Sequence, residues 1–440
     1  MEYIRTVRVP LHYLTTRKKL SYIDNLTARL TYAVRLWSRI IERRGLQSMA
    51  DCSLFEQAVK DEAGLSAGFV QQARDKALWM WESYRKLHKK WEWILSRAKK
   101  GTKWHRKLLE REPSPPCGSK RLKKIPIRFD YRTGQVQRAD LMLTQWVIHI
   151  STLKKREAID VLLNPSEYHK KLLEDGRIKG FEIVKKNGWY YVHMTCVFEV
   201  STQPIQQFVG VDFGIRRSVS TVSMNPADLK PCDFHIFKDG KREKLRELND
   251  RVSRLRRLRK WEALKKLRNK RRNVAGDYDW KLAKTVAESC ANSYVILGDP
   301  EYIRYHNYRG NGDRTGRRLL QNWSFYRQIR YIQHRCAKHG VRSEVLNEWG
   351  TSSRCHKCGG KVERPKRSRI ICTKCGLQDD AERNSSINIA HRGMSRLGEK
   401  SLASQTAPNR AGAPVERART TDDSALKPPM SMEATDFNGW

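Results

Sequence analysis

Apolar and polar positions alternate with period two in RTVRVPLHYL (5–14), which predicts a strand. From about Ser21 to Leu108 the apolar positions recur at helical spacing, as in LTARLTYAVRLWSRIIE and ALWMWESYRKLHKKWEWILSRAKK. Trp79, Trp81, Trp91 and Trp93 lie among lysines and arginines there; helix-packing aromatics are the simpler reading, base-stacking ones the alternative. REPSPPCGSKRLKK (111–124) is a Pro-rich break. Strand-like runs follow in IPIRFDYRTG, LTQWVIHIST and FEIVKKNGWYYVHMTCVFEV, the last turned back on itself at Lys186-Asn187-Gly188. The pattern predicts an all-β unit assembled from residues 1–18 and 125–204, with a helical unit, 19–124, inserted into it.

Further along, FVGVDFGIRRSVSTVSM (208–224) gives two β-rich halves around Gly214. The stretch 241–273 predicts one long basic helix whose narrow apolar stripe is Leu245, Leu248, Val252, Leu255 and Leu258. SYVILGDPEYI (293–303) reads as a short strand and RQIRYIQHRCAKHG (327–340) as another helix. From Ser395 onward Ser, Ala, Pro and Thr dominate without periodicity, so 395–440 is expected to be a disordered tail.

Charge changes the picture. Of 440 residues, 88 are Lys or Arg and 47 Asp or Glu, a net +41 that opposes compaction unless a polyanion neutralises it. Nucleic acid is the natural counterpart, because phosphates neutralised by basic side chains release their counterions. An anionic membrane would select one concentrated basic amphipathic segment, whereas here the charge runs from Arg17 to Arg419. Arg254, Arg257, Lys260, Lys265, Lys266, Arg268, Lys270, Arg271 and Arg272 are the candidate phosphate contacts. There is no apolar run of ~18 residues and no apolar signal core at the start, so no membrane partner is expected. A cytoplasmic location, nucleoid-associated in a prokaryote, follows as an expectation.

Four of the ten cysteines form Cys355-x2-Cys358-x13-Cys372-x2-Cys375, each pair followed by glycine. That spacing reads as a closed, tetrahedral, structural zinc site with no open position for catalysis. Asp212 lies midway along an apolar strand, where an acid is costly to bury unless it binds a metal or a partner. Asp379, Asp380 and Glu382 cluster in DDAERNSSINIA (379–390) at a helix start, where acids are routinely dipole complements. Together with Asp212 they look like part of a two-metal carboxylate site, in which Mg²⁺ ions bridge phosphodiester oxygens.

The ordered combination resembles the transposon-encoded TnpB family, compact relatives of type V CRISPR effectors and Fanzor proteins. RFDYRTG…STLKKR (128–156) is similar to the family's β-barrel, GVDFGI to its first RuvC motif, RCHKCGG…CTKCG to its zinc ribbon and DDAERNSSINI to its third RuvC motif. The resemblance implies a multidomain α+β protein. A wedge-like β-barrel domain (1–18 and 125–204) would carry the inserted helical recognition domain (19–124). An RNase H-like RuvC α/β nuclease domain (205–350 and 377–394) would carry the inserted zinc ribbon (351–376). It further implies an RNA-guided, Mg²⁺-dependent DNA endonuclease whose guide RNA pairs with target double-stranded DNA. The oligomeric state is left open by the sequence, a monomer being favoured over an oligomer. A guide-directed binder with an inactive nuclease, and an RNA-independent DNA transposase, are the alternatives.

Two departures from the family pattern bear on the site. Glu382 stands where an Asp is usual, with Asp380 as the spare ligand. Gly298 stands where many members carry a glutamate, with Asp299 and Glu301 displaced in register. In EVLNEWGTSSRCHKCGG (344–360), Glu348 resembles the relocated glutamate that some members carry in a Glu-x-x-Thr-Ser stretch before the first zinc pair. Asp212, Glu348 and Glu382 or Asp380 are thus the implied magnesium-binding, catalytic carboxylates.

Overall fold

The computed structural model describes residues 1–116, 124–153, 157–267, 269–300, 303, 319–366 and 368–405. The chain divides into two compact units, one built on Ile4–Phe198, the other on Met1–Tyr3 with the chain from Glu199 onward.

In the first unit, β1 (Glu2–Pro10) is followed by helices α1 (Arg17–Arg44), α2 (Met49–Cys52), α3 (Glu56–Ala63), α4 (Ala67–Arg97) and α5 (Lys103–Leu109). Strands β2 (Ile127–Phe129), β3 (Gly134–Leu141), β4 (Thr144–Ser151) and β5 (Ala158–Leu162) come next. After α6 (Glu167–Asp175) come β6 (Arg177–Lys186) and β7 (Trp189–Glu199). Asn187 and Gly188 turn that last hairpin with φ of 51° and 83°, a left-handed pair that Asn-Gly adopts at least cost. The strands form two ladders, β1-β7-β6-β2 and β3-β4-β5, rather than one closed ring among the described residues. They approach at Gly134, where a β-carbon would lie 3.1 Å from the Phe181 ring and 3.2 Å from that of Phe129. The tryptophans pack: Trp81 Nε1 donates to Ser38 O, Trp91 Nε1 donates to Leu108 O, and Trp79 and Trp93 lie under Arg128 and Arg97.

The second unit contains β8 (Gln207–Phe213), β9 (Val219–Met224), β10 (Pro231–Phe237), α7 (Lys241–Arg257), α8 (Trp261–Leu267), α9 (Lys270–Ser289) and β11 (Ser293–Asp299). Then follow α10 (Phe325–Lys338), β12 (Arg342–Asn347), β13 (Val362–Lys366), β14 (Arg369–Cys372), β15 (Gln378–Asp380) and α11 (Ala381–Gln405). Its main sheet runs β10-β9-β8-β11-β12, with β8 to β10 antiparallel and β11 parallel to both β8 and β12. Val209, Val211, Val295 and Leu297 bury one face against Ala283 and Val286 of α9 and Ile329 and Ile332 of α10. Val222, Met224, Ile296 and Leu346 cover the other against Ile387, Ile389 and Ala390 of α11. Because side chains alternate along a strand, Gly210 and Asp212 fall on the face under α11.

Two expectations are corrected. The stretch 241–273 is not one helix: Arg259 takes a left-handed φ of 51° and breaks it between α7 and α8. Its apolar stripe is buried at Leu245 and Leu248 but fades to 51% exposure at Leu258, so the core no longer holds a continuous rod there. At α7's start, buried Lys241 pairs with buried Asp279 of α9, which also accepts from Ser324 and Arg327 of the α10 end. The second correction concerns the tail: α11 continues past Ser395 to Gln405, through residues that include neither Gly nor Pro after Gly398. The remainder of that predicted tail lies outside the described residues. No helix among the described residues is long and apolar enough to cross a membrane.

Candidate functional site

Three glycines bring α11 onto the sheet. A β-carbon on Gly210 of β8 would fall inside the Ser386 carbonyl oxygen and 2.8 Å from the Ala390 nitrogen. Gly393 gives Ile296 of β11 the same clearance. Gly298 of β11 faces Ile389, whose Cδ1 would be 2.8 Å from an added β-carbon. This close approach, with Ser386 Oγ donating to Ser220 O at 3.2 Å, sets the first turn of α11 over the end of β8. Glu382 is in that turn, and its charge is felt at Asp212.

Glu348 follows β12 directly, and its Oε2 lies 2.8 Å from where a Gly298 β-carbon would be. In the parallel ladder Leu297 is opposite Val211, so the next pair sets Gly298 beside Asp212. The Glu348 carboxylate therefore occupies the place that a side chain on Gly298 would fill. A tight turn holds it: Thr351 N and Thr351 Oγ1 both donate to Glu348 O, at 3.0 and 2.7 Å. Arg392 of α11 donates to Asn347 O and Trp349 O on either side.

Burial first, and then a neighbouring acid in each case, raises all three. Asp212 is pushed up by desolvation and then by Glu382, and Glu348 by desolvation, Asp212 and Asp299. Glu382 rises chiefly by desolvation, opposed by Arg217. Glu348 Oε2 is buried with no hydrogen-bond partner. Acids raised by burial and by neighbouring acids, with an unpartnered Glu348 oxygen among them, offer the oxygen donors that a hard divalent cation takes.

Asp380 plays a different part. Its Oδ1 accepts from Glu382 N at 2.9 Å and Arg383 N at 3.3 Å, capping α11. Both its oxygens also accept from Arg217 Nη1, at 2.9 and 2.8 Å. The same nitrogen lies 2.5 Å from Glu382 Oε2. Of the four acids expected to share the site, Asp212 is raised by the charge of Glu382 and Glu348 by that of Asp212, whereas Asp380 caps α11. Glu301 lies outside the described residues.

The cysteine cluster assembles beside this site. The four Sγ atoms lie within 4.8 Å of one another, with Cys355–Cys375 at 3.8 Å and Cys358–Cys372 at 3.5 Å. Ligands about 2.3 Å from a tetrahedral zinc are themselves about 3.8 Å apart, so the cluster fits that ion. Gly359 and Gly376 turn the two knuckles with φ of 69° and 71°. Cys372 is drawn down to about 6 by backbone N–H groups, that of Cys375 first, which favours the thiolate. Asn388 Nδ2 donates to Thr351 O and Arg354 O, and Asn384 bonds Arg354 O and His356 N. One face of α11 thus fastens the first knuckle and, through Thr351, Glu348.

A family model described as the Cas12f1-like TNB domain matches residues 325–389, the span from α10 through the cysteine cluster into α11. Over 267 residues the chain is 22% identical to a TnpB-like protein of Methanocaldococcus jannaschii, covering 56% of this chain and 92% of that one. The chain is thus similar to TnpB-like and Cas12f1 proteins. The chain is also 32% identical over 91 residues to the CRISPR-associated endodeoxyribonuclease Cas12f1 of Syntrophomonas palmitatica. That match covers 20% of this chain and 18% of the relative, so it spans less than a fifth of the relative's length. In fold the chain is similar to a Cas12f1–sgRNA–target DNA complex, with a TM-score of 0.53 and 13% identity over 84% of this chain and 81% of that one.

Elsewhere in the chain, Arg254, Arg257, Lys260, Lys265, Lys266, Lys270 and Arg272 face solvent on α7 to α9. Arg271 is half-buried, and Arg268 lies outside the described residues. Two cations near the carboxylates escaped the sequence reading. Arg217 sits five residues after Asp212, and its basic pair with Arg216 was the available signal. Arg364 of β13 lowers Asp212 through its charge, but nothing in its local sequence marks it.

Proposed function

We propose that this chain is an RNA-guided, divalent-metal-dependent DNA endonuclease of TnpB type. The observation that carries the reading is the Glu348 carboxylate lodged over Gly298, the neighbour of Asp212 in the parallel ladder. It supplies the acid that Gly298 lacks, and so counts against an inactive nuclease. The sheet order supports an RNase H-like core: three antiparallel strands, then two parallel to the first, with the carboxylates at one end. The fold likeness to a Cas12f1–sgRNA–target DNA complex and the net +41 support a guide RNA and target DNA as partners.

Asp212, Glu348 and Glu382 would hold Mg²⁺, and Mg²⁺ bound there would supply an activated water and a charge clamp on the phosphodiester oxygens. The protein's part would be to bring three carboxylates from three elements to one end of the sheet. The cysteine cluster, as a zinc ribbon, would hold the Glu348 turn against α11. No side-chain nucleophile is required.

The test is plasmid cleavage by the full chain with the RNA that copurifies with it. Mg²⁺-dependent cuts in a guide-matched plasmid, lost in Asp212→Ala while target binding persists, are expected. Binding without cuts by the wild type would establish the inactive-nuclease reading. Strand transfer without RNA would establish the transposase.

A further inference from the structure

Arg217 Nη1 carries two protons but faces three carboxylate oxygens: Asp380 Oδ1 and Oδ2 at 2.9 and 2.8 Å, and Glu382 Oε2 at 2.5 Å. Two of these contacts go to Asp380, while Glu382 Oε2 is held in an ion pair with Arg217, and Arg217 and Ser220 both lower the Glu382 carboxyl against the rise that burial causes. Glu382 thus has its charge compensated by Arg217, and it is close enough to Asp212 for its own charge to raise that acid. Asp380 is fixed as the cap of α11, so Arg217 keeps a partner whichever way Glu382 turns.

We propose that Arg217 is a resident counter-ion for Glu382, which it holds in the metal-free protein and releases to the cation when metal binds. The inference rests on the metal-site reading above and adds a positioning residue to it. Metal binding is then a competition with an internal ion pair. Arg217 neutralises a cluster of acids that would otherwise repel one another, and raises the cation concentration at which the site fills. Half-burial makes this competition appreciable: the pair's side chains are 22% and 29% exposed, enough to exchange partners without opening the fold. An arginine suits the role because its delocalised charge stays on over the whole working pH range.

The experiment uses the full chain with its cysteine-bound metal intact and nucleic acid stripped, titrated with Mn²⁺ while free Mn²⁺ is read by electron paramagnetic resonance. Arg217→Gln is expected to bind Mn²⁺ about tenfold tighter than wild type, the scale of one lost competing charge pair. Arg217→Lys, which keeps the charge and loses the fork, should fall between the two. Asp380→Asn keeps the cap but frees Arg217 for Glu382, and should bind several-fold more weakly. A Mn²⁺-bound crystal structure should show Glu382 off Arg217 and Arg217 still on Asp380. Unchanged or weaker binding by Arg217→Gln, or a metal-bound structure with Glu382 still on Arg217, overturns the proposal. Asp212→Asn separates the two readings: if it leaves Mn²⁺ affinity unchanged, the metal site itself is wrong. If it weakens binding while Arg217→Gln does nothing, only the counter-ion role falls.

Discussion

The Glu348 carboxylate fills the space above Gly298 that a side chain on β11 would otherwise take. A β-carbon there would sit 2.8 Å from Glu348 Oε2 and 3.3 Å from its Cβ, and the turn at Thr351 leaves Glu348 little freedom to retreat. Gly298→Ala is therefore expected to cut DNA about tenfold more slowly or worse, while costing ~1–3 kcal/mol of stability from overpacking. The swap is the sharper measurement. Glu348→Ala vacates the space, and adding Gly298→Glu returns a carboxylate from the neighbouring strand, so the double variant should recover cleavage that Glu348→Ala loses. A double variant as inactive as the single one would mean that Gly298 and Glu348 do not share one position.

Glu348→Gln keeps the shape and removes the charge. It should lower cleavage of a guide-matched plasmid by about a hundredfold or more, as fully as Asp212→Ala, since each takes a ligand from the proposed metal site. Target binding, followed by mobility shift, should be unchanged in both. Asp299→Asn should keep most activity, because Asp299 raises Glu348 through its charge but is not one of the three proposed ligands. Normal cutting by Glu348→Gln would return that residue to the status of a strand-end acid.

How much of this was legible depends on the range of the physics involved. Cys355, Cys358, Cys372 and Cys375 could be read because metal chemistry constrains spacing within a short segment. Asp212 was legible because an acid in an apolar strand breaks its own pattern. Glu348 was reached only through a family likeness, since its partner Gly298 is distant in sequence and meets it through a parallel ladder. Arg217 and the cap at Asp380 were not legible: which of two neighbouring acids points at an arginine is decided by the rotation of the first turn of α11. The continuous basic helix failed for a local reason, because a charge-rich run carries helix propensity past the point where the core stops supporting it.

The ribbon makes a prediction about metal. Cys358→Ser should lose its bound zinc by elemental analysis, because ligand binding at such knuckles supplies on the order of 10 kcal/mol of folding energy. Since Thr351 and Arg354 are fastened to Asn384 and Asn388, the loss should reach the carboxylates. Cleavage should fall even where the rest of the chain melts cooperatively. A variant without zinc that still cuts at the wild-type rate would show that the ribbon does not hold Glu348.

The exposed cations of α8 and α9 make the last prediction. Lys265, Lys266, Lys270 and Arg272 all face solvent on α8 and α9, where the apolar stripe has already faded. A charge run of this kind is either a solvated face or a phosphate track, and salt dependence separates the two. Each phosphate contact releases condensed counterions, so replacing all four by Gln should make the slope of log affinity for guide RNA against log salt shallower by about 3. The variant's melting temperature should hardly move, because no buried partner is lost. A slope equal to that of the wild type would mean that these four side chains meet only water. The grip on RNA would then have to come from other basic surfaces.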